Sequence, residues 1–203
     1  MKRFEEVLSM RTRHISVVLE DIFQPHNASA VLRSCDCFGV QDVHIIENRN
    51  RYEVNPDVAL GSSKWLTLHR YNASEDNTLE AYSHLRAKGF KIVATTPHDG
   101  AVSLPELDIT GKTALVFGTE LTGLTKTAID QADDWMTIPM FGFTESFNIS
   151  VSVAITLYEL VMRLRKSETA WELTPEEKEE ILLEWMKNTI KQPEKLIRQF
   201  QKK

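Results

Sequence analysis

Cysteine is nearly absent from this chain. Its 203 residues include two, Cys35 and Cys37. Two positions apart on a helix, they point to different faces, which argues against a mutual disulfide. Without further ligands they make no zinc site. Both are expected to pack as small apolar side chains in a reducing compartment. No apolar run approaches the roughly 18 residues needed to span a bilayer, so no membrane partner is expected. The first residues, Met1-Lys-Arg-Phe-Glu-Glu, lack the apolar core of a secretory signal. Together these absences predict a cytoplasmic protein. The glycines number eight, and none falls in a G-x-G-x-x-G or a full G-x-x-x-x-G-K-[ST] pattern: the lone Gly111-Lys-Thr113 has Glu106 where the loop needs its first glycine. That leaves out the dinucleotide fingerprint and the phosphate-binding loop. No Ser/His/Asp order suggests a hydrolase, and no His/Cys cluster suggests a metal.

Positive charge is also in deficit: the net charge is −5 and the pI about 5.7. Taken alone, this argues against nucleic acid as a partner. The charge is uneven, however. Residues 168–186 are strongly acidic and residues 187–203 basic, while the N-terminal end adds Lys2, Arg3, Arg11 and Arg13. Local patches, rather than the sum, decide phosphate binding. Arg11, Arg13, Lys191, Lys195 and Arg198 are therefore candidate RNA contacts. A solvated helix face would give the same pattern.

What is present is ordinary in bulk: 42% hydrophobic and 26% charged residues, as in a soluble globular domain. Strands are expected at Ile15–Leu19, Val43–Ile46, Trp65–His69, Phe90–Thr95, Thr113–Phe117 and Trp135–Ile138. Helices lie between them. One follows Asn27 or Ser29 and stops at Gly39; another is capped by Ser74 and stops at Gly89. Alternating strands and helices, with several strands continuously apolar, predict an α/β fold: a mostly parallel sheet with helices on both faces. Residues 1–14 form an N-terminal helical extension, 15–166 the main domain and 167–203 a C-terminal helical extension. The last opens with the capping box Thr174-Pro-Glu-Glu, and Pro193 starts a final short helix.

Ligands of open parallel sheets bind beyond the C-terminal strand ends. Three such ends carry small or polar residues: Thr95-Thr96, Gly118-Thr-Glu-Leu-Thr-Gly123, and the loop after Ile138. Together they would form one pocket. After that last loop, Ser146, Asn148, Ser150 and Ser152 crowd a helix start. The helix carries the apolar stripe Ile149, Val153, Leu157, Leu160, Val161 and Leu164. A helix cap needs one such polar residue, not four. Asn27 and Arg33, six residues apart, stand at the start and middle of an earlier helix, and His26 beside them is either a base or a loop histidine.

The combination resembles a known family. Asn27-x5-Arg33 followed by Ser34-Cys-Asp-Cys-Phe-Gly39 is similar to motif one of the SpoU/TrmH family of the SPOUT superfamily. Gly118-x-Glu120-x-x-Gly123 is similar to motif two. Ile138-Pro-Met140 with Ser146-Phe-Asn148-Ile-Ser150-Val-Ser152 is similar to motif three. All occur in order over about residues 15–165. The form of motif one, Gln24-Pro-His-Asn-x-Ser-Ala, resembles the subgroup acting on guanosine 18 of tRNA.

The resemblance implies an S-adenosylmethionine-dependent 2′-O-methyltransferase acting on tRNA, a C-terminal trefoil knot and a homodimer. It implies a catalytic set of Asn27, Arg33, Glu120, Ser146 and Asn148, and cofactor contacts from Thr95, Gly118, Ile138, Met140 and Phe147. Phe147 stands where leucine is usual and Ile149 where valine is. A guanidinium is ordinarily a fixed cation, so Arg33 is either a phosphate clamp or a base in a reshaped environment. Ribosomal RNA is the alternative substrate, and a catalytically silent RNA-binding module on the same fold is the competing class. The stripe from Ile149 to Leu164 is long for a helix covering one side of a sheet, and the resemblance places this helix at a dimer interface.

Overall fold

The computed structural model describes residues 1–53, 59, 61–74, 76–97, 100–119, 121–190 and 193. Seven strands form one sheet: β1 (Ile15–Glu20), β2 (Asp42–Ile46), β3 (Thr67–Tyr71), β4 (Lys91–Thr95), β5 (Val102–Ser103), β6 (Thr113–Phe117) and β7 (Asp134–Thr137). Their order is β3-β2-β1-β6-β4-β7-β5, and every pairing is parallel. The central strands are buried on both faces, which is why they read as unbroken apolar runs.

Alternate residues sort onto two layers. Val17, Leu19, Leu115, Phe117 and Met136 face helices α2 (Pro25–Phe38) and α5 (Ile149–Leu164). Val18, Ile92, Ala114 and Val116 face α3 (Asn77–Ala87) and α4 (Lys126–Asp130). The stripe of α5 from Ile149 to Leu164 is buried inside this protein, against α2 and the sheet. The stripe is therefore used within the chain, and only the opposite face of α5 is left for another partner. Each fully buried leucine or valine there stabilises the fold by about 1.5–3 kcal/mol.

Helices α1 (Lys2–Leu8) and α6 (Pro175–Thr189) build a third, smaller core. Leu8, Leu173, Ile181 and Trp185 are buried in it, with Phe4 and Trp65 packed alongside. The Thr174 capping box is present as expected, with Thr174 N–H donating to Glu177 at 2.8 Å and Glu177 N–H donating back at 3.2 Å.

Several boundaries move. Helix α2 begins at Pro25 after Gln24, so Asn27 lies inside its first turn and not at the cap. Gly39 does end it, in the left-handed conformation at φ 78°. Helix α3 is capped by Asp76, whose carboxylate accepts from Thr78 and Leu79 N–H, each at 3.1 Å, and not by Ser74. Strand β3 sits two residues later than expected, because Ser62–Lys64 turns into a 3₁₀ helix that carries Trp65 at its end. Cys35 is buried, but Cys37 is exposed, contrary to the packed pair expected. Pro193 is described, but the rest of the final helix expected there is not.

Candidate active site

Strands β6, β4 and β7 are neighbours, and their C-terminal ends open a single cleft of about 450 Å³. Thr95, Gly118, Ile138, Met140 and Phe147 all line it, as does Ser146. The volume lies within the range of small-ligand sites. A larger groove of about 770 Å³ lies among Phe4, Met10, Trp65 and Trp185, but none of the motif residues named above lines it except the stretch from Asp36 to Gly39.

The cleft wall is shaped by backbone. Thr119 and Gly123 exchange reciprocal backbone bonds of 3.0 Å, closing the loop after β6 into a tight ring. Gly123 takes φ 67°, open to glycine without strain. A Cβ on Gly118 would lie 2.3 Å from the carbonyl carbon of Gly123. On the next strand, the Thr95 hydroxyl donates to the Val116 carbonyl at 2.7 Å, tying β4 to β6 at the cleft edge.

Beside the cleft, two distant motif residues meet. Asn148 caps α5: its Oδ1 accepts from Ser150 N–H at 2.9 Å and Ser150 Oγ–H at 2.6 Å. Its Nδ2 donates to Asn27 Oδ1 at 3.2 Å. Asn27 is buried, and its own Nδ2 donates to Gln24 Oε1 at 3.1 Å. The result is a chain of oriented amides across the start of α2 and the start of α5. One face of Asn148 remains exposed to a ligand.

Arg33 does not join this group. It lies on the exposed face of α2, among no cleft residue, and His26 is exposed too. Glu120, Lys191, Lys195 and Arg198 lie outside the described residues. Arg11 and Arg13, expected as RNA contacts, are both ion-paired within the chain. Arg11 is 1% exposed, ion-paired with Asp36 and stacked 5.3 Å over Trp185. Arg13 pairs with Asp42 at 2.9 Å and with Glu180 at 3.0 Å on α6. Both cations serve the packing of the terminal helices, and the acidic stretch of α6 supplies part of their counter-charge.

Two supporting residues went unread in the sequence. Glu20 ends β1 almost fully buried; Oε1 accepts from the Thr78 and Thr125 hydroxyls at 2.6 and 2.8 Å, and Oε2 from Thr125 N–H at 2.8 Å. It thereby fixes the far end of the cleft loop, since Thr125 caps α4. Asp21 follows at φ 54°, and its Oδ1 accepts N–H bonds from Asn48, Arg49 and Asn50 at 2.7, 2.8 and 3.3 Å. The visible signal was a pair of carboxylates closing an otherwise apolar strand, where a buried acid needs several donors.

A parallel α/β sheet whose adjacent strand ends form one cleft, flanked by an amide cluster at a helix start, defines an α/β protein built to bind a small ligand at its strand ends. The chain belongs to the SpoU rRNA Methylase family, which matches residues 14–158. It is 46% identical to a tRNA (guanosine(18)-2′-O)-methyltransferase of Borreliella burgdorferi, over 93% of this chain and 85% of that one. Among solved structures it is similar to the A. aeolicus TrmH/SpoU tRNA modifying enzyme, at 33% identity and TM-score 0.82, covering 94% of this chain and 96% of that one. The SpoU methyltransferase AviRb from Streptomyces viridochromogenes, in complex with the cofactor AdoMet, shares the fold at 23% identity and TM-score 0.67, over 80% of this chain and 65% of that one.

Proposed function

We propose that this protein transfers a methyl group from S-adenosylmethionine to a ribose 2′-hydroxyl of tRNA, at guanosine 18. The observation that carries the reading is the meeting of Asn27 and Asn148 beside a cleft lined by all five expected cofactor residues. Relatives named for this reaction, matching over nearly the whole chain, support the choice of substrate.

The cleft fits the cofactor chemically. Ile138, Met140 and Phe147 offer apolar surface, and the absence of a side chain at Gly118 lets the Gly123–Leu124 backbone close against it to form the cleft wall. When bound, S-adenosylmethionine supplies an electrophilic methyl on a sulfonium with a neutral leaving group. What remains for the protein is to orient the ribose hydroxyl and let its proton depart. The Asn148 amide is held by Asn27 on one side and its own cap on the other, so its second N–H is free to orient the acceptor ribose. Such positioning supplies roughly 7–11 kcal/mol in favourable cases. Arg33, exposed and cationic, clamps a flanking phosphate in this reading.

A homodimer belongs to the same proposal. Beyond its buried stripe, α5 carries a second one: Val151, Tyr158 and Met162 are 43, 59 and 40% exposed, with Ile155 between them. Tyr158 meets Phe38 of α2 edge-on at 6.3 Å, so the exposed stripe continues onto α2. Apolar surface of this kind supports association with a second copy. Ultracentrifugation giving only monomer at micromolar concentration would remove the dimer. A trefoil knot is proposed as well. After β7 the chain returns across β4 and β6 to place α5 on α2, and a density-traced path that never threads the neighbouring loops would exclude it.

The activity is tested by offering the purified protein S-adenosylmethionine with unmodified tRNA and, separately, ribosomal RNA. The expected product is 2′-O-methylguanosine in tRNA alone. Methylation confined to ribosomal RNA overturns the substrate, and no binding of S-adenosylmethionine in calorimetry overturns the reaction.

A further inference from the structure

Arg11 and Arg13 are both ion-paired within the chain. Among the described residues, Arg33, Arg49 and Arg51 are the only arginines whose side chains make no hydrogen bond, ion pair or ring contact. Arg33 belongs to the motif set above. Arg49 and Arg51 belong to nothing yet described. Both are exposed, and both line a polar cleft of about 460 Å³ with Asn48, Asn50, Arg70 and Asn72. One carboxylate, Glu47, also lines this cleft. It is already satisfied: Arg70 donates to it at 2.8 and 3.0 Å, Asn72 at 3.0 Å and Tyr52 N–H at 2.7 Å. Among the described residues, neither Arg49 nor Arg51 makes an ion pair, and the one carboxylate of this cleft is taken.

The loop that carries them is held from beneath. Asp21 accepts three consecutive N–H groups, from Asn48 to Asn50, and its carbonyl accepts from Asn50 Nδ2 at 2.8 Å. At the other end, Tyr52 is buried in the core layer that also holds Val31, Leu32 and Cys35 of α2. A preorganised loop loses little entropy on binding. The same strand end holds the cofactor cleft: Glu20 fixes Thr125 on one side and Asp21 fixes 48–50 on the other. The loop follows β2, two strands from β6 and so roughly 10 Å away at ordinary strand spacing. Both lie at the C-terminal end of the sheet.

We propose that the 47–51 loop is a phosphodiester-binding platform that grips the RNA backbone through Arg49 and Arg51, away from the methylated ribose. Guanidinium forks match phosphate oxygens bidentately. In a chain of net charge −5, such a local patch directs the substrate without attracting nucleic acid generally. The proposal rests on the reading of the protein as a tRNA-binding enzyme.

The test compares wild type with Arg49→Ala/Arg51→Ala and Arg49→Lys/Arg51→Lys. Affinity for unmodified tRNA is measured across a salt series, alongside methylation kinetics and S-adenosylmethionine affinity. The alanine pair should weaken tRNA roughly tenfold and flatten the slope of log affinity against log salt by about 1.4–1.8, two phosphate contacts' worth. The KM for tRNA should rise with kcat and cofactor affinity unchanged, and the lysine pair should keep the wild-type slope. A wild-type slope and affinity in the alanine pair overturn the proposal while leaving the activity standing. Wild type that binds no tRNA overturns both. Wild type that binds tRNA without methylating it, with binding still weakened in the alanine pair, supports the platform and removes the activity.

Discussion

Gly118 tolerates no side chain, because a Cβ there would sit 2.3 Å from backbone. Gly142, on the loop after β7, has nothing closer than 4.0 Å. Gly118→Ala should therefore cost about 1–3 kcal/mol of stability and most of the cofactor affinity, whereas Gly142→Ala should leave both near wild type. Equal calorimetric affinities in the two variants would contradict the shape given to the cleft. Asn148 separates capping from chemistry. Asn148→Asp keeps the acceptor for Ser150 N–H and favours the helix dipole, but it loses the donor to Asn27. Stability within about 1 kcal/mol of wild type, with methylation lost, is expected from denaturation and activity assays. Retained activity would rule out the amide donor. Asn27 and Asn148 were legible in the sequence because an amide at that spacing is a chemical choice. The ion pairs of Arg11 and Arg13 were not legible, because a cation's letter does not reveal whether a carboxylate distant in sequence meets it. Glu20 and Asp21 show in the sequence only as two carboxylates closing a strand; their partners, from three other segments, do not show.

At the scale of elements, the strands were legible because burial on both faces leaves only apolar residues. Their ends were not: β3 was read two residues early because Trp65, an apolar residue before an apolar strand, in fact closes a 3₁₀ turn. The two-residue β5 is too short to show any periodicity. The β2–β3 edge also carries a polar layer that the sequence hid. His44 stacks on His69 at 4.4 Å and bonds Tyr71 Oη at 2.9 Å, which in turn meets His84 at 2.7 Å. Burial first, then the neighbouring His69, pushes His44 down to about 3, with Asp42 opposing and Lys88 and His84 adding to the shift. Asp42 is held below its ordinary value: burial opposes this, but the His69 bond and Arg13 prevail. For His44 the folded value lies below the unfolded one. Its contribution is fully present above about pH 6.5 and is lost as pH falls towards 3. Denaturation at a series of pH values should show stability dropping by up to about 1.4 kcal/mol per pH unit from this group, and His44→Gln should flatten that limb. An unchanged slope in the variant would show that the histidine does not stay neutral.

For the whole molecule, the parallel α/β architecture and the three-loop cleft were legible, since strand-end loops of a parallel sheet converge by topology. Assembly was not. The stripe that caught the eye on α5 is the one this chain buries itself, and the exposed stripe of Val151, Tyr158 and Met162 is shorter and mixed with polar residues. Asn27 and Asn148 meet within one chain, but Arg33 lines no part of that chain's cleft. A site completed by Arg33 of a second copy follows as a prediction. Arg33→Ala and Asn148→Ala should each be inactive as homodimers, and their heterodimer should regain one intact site, about half of wild-type activity. A verified heterodimer that stays inactive, beside an active wild-type/double-mutant heterodimer, would place each complete site in one chain.

The central claim is methylation of one ribose in tRNA, and mass-spectrometric mapping of ribose methylation in RNA from cells with and without this protein tests it most directly. The expected result is loss of 2′-O-methylguanosine at position 18 of tRNA, restored by the wild-type protein and not by Asn148→Asp. Unaltered tRNA methylation, or a loss confined to ribosomal RNA, would contradict it.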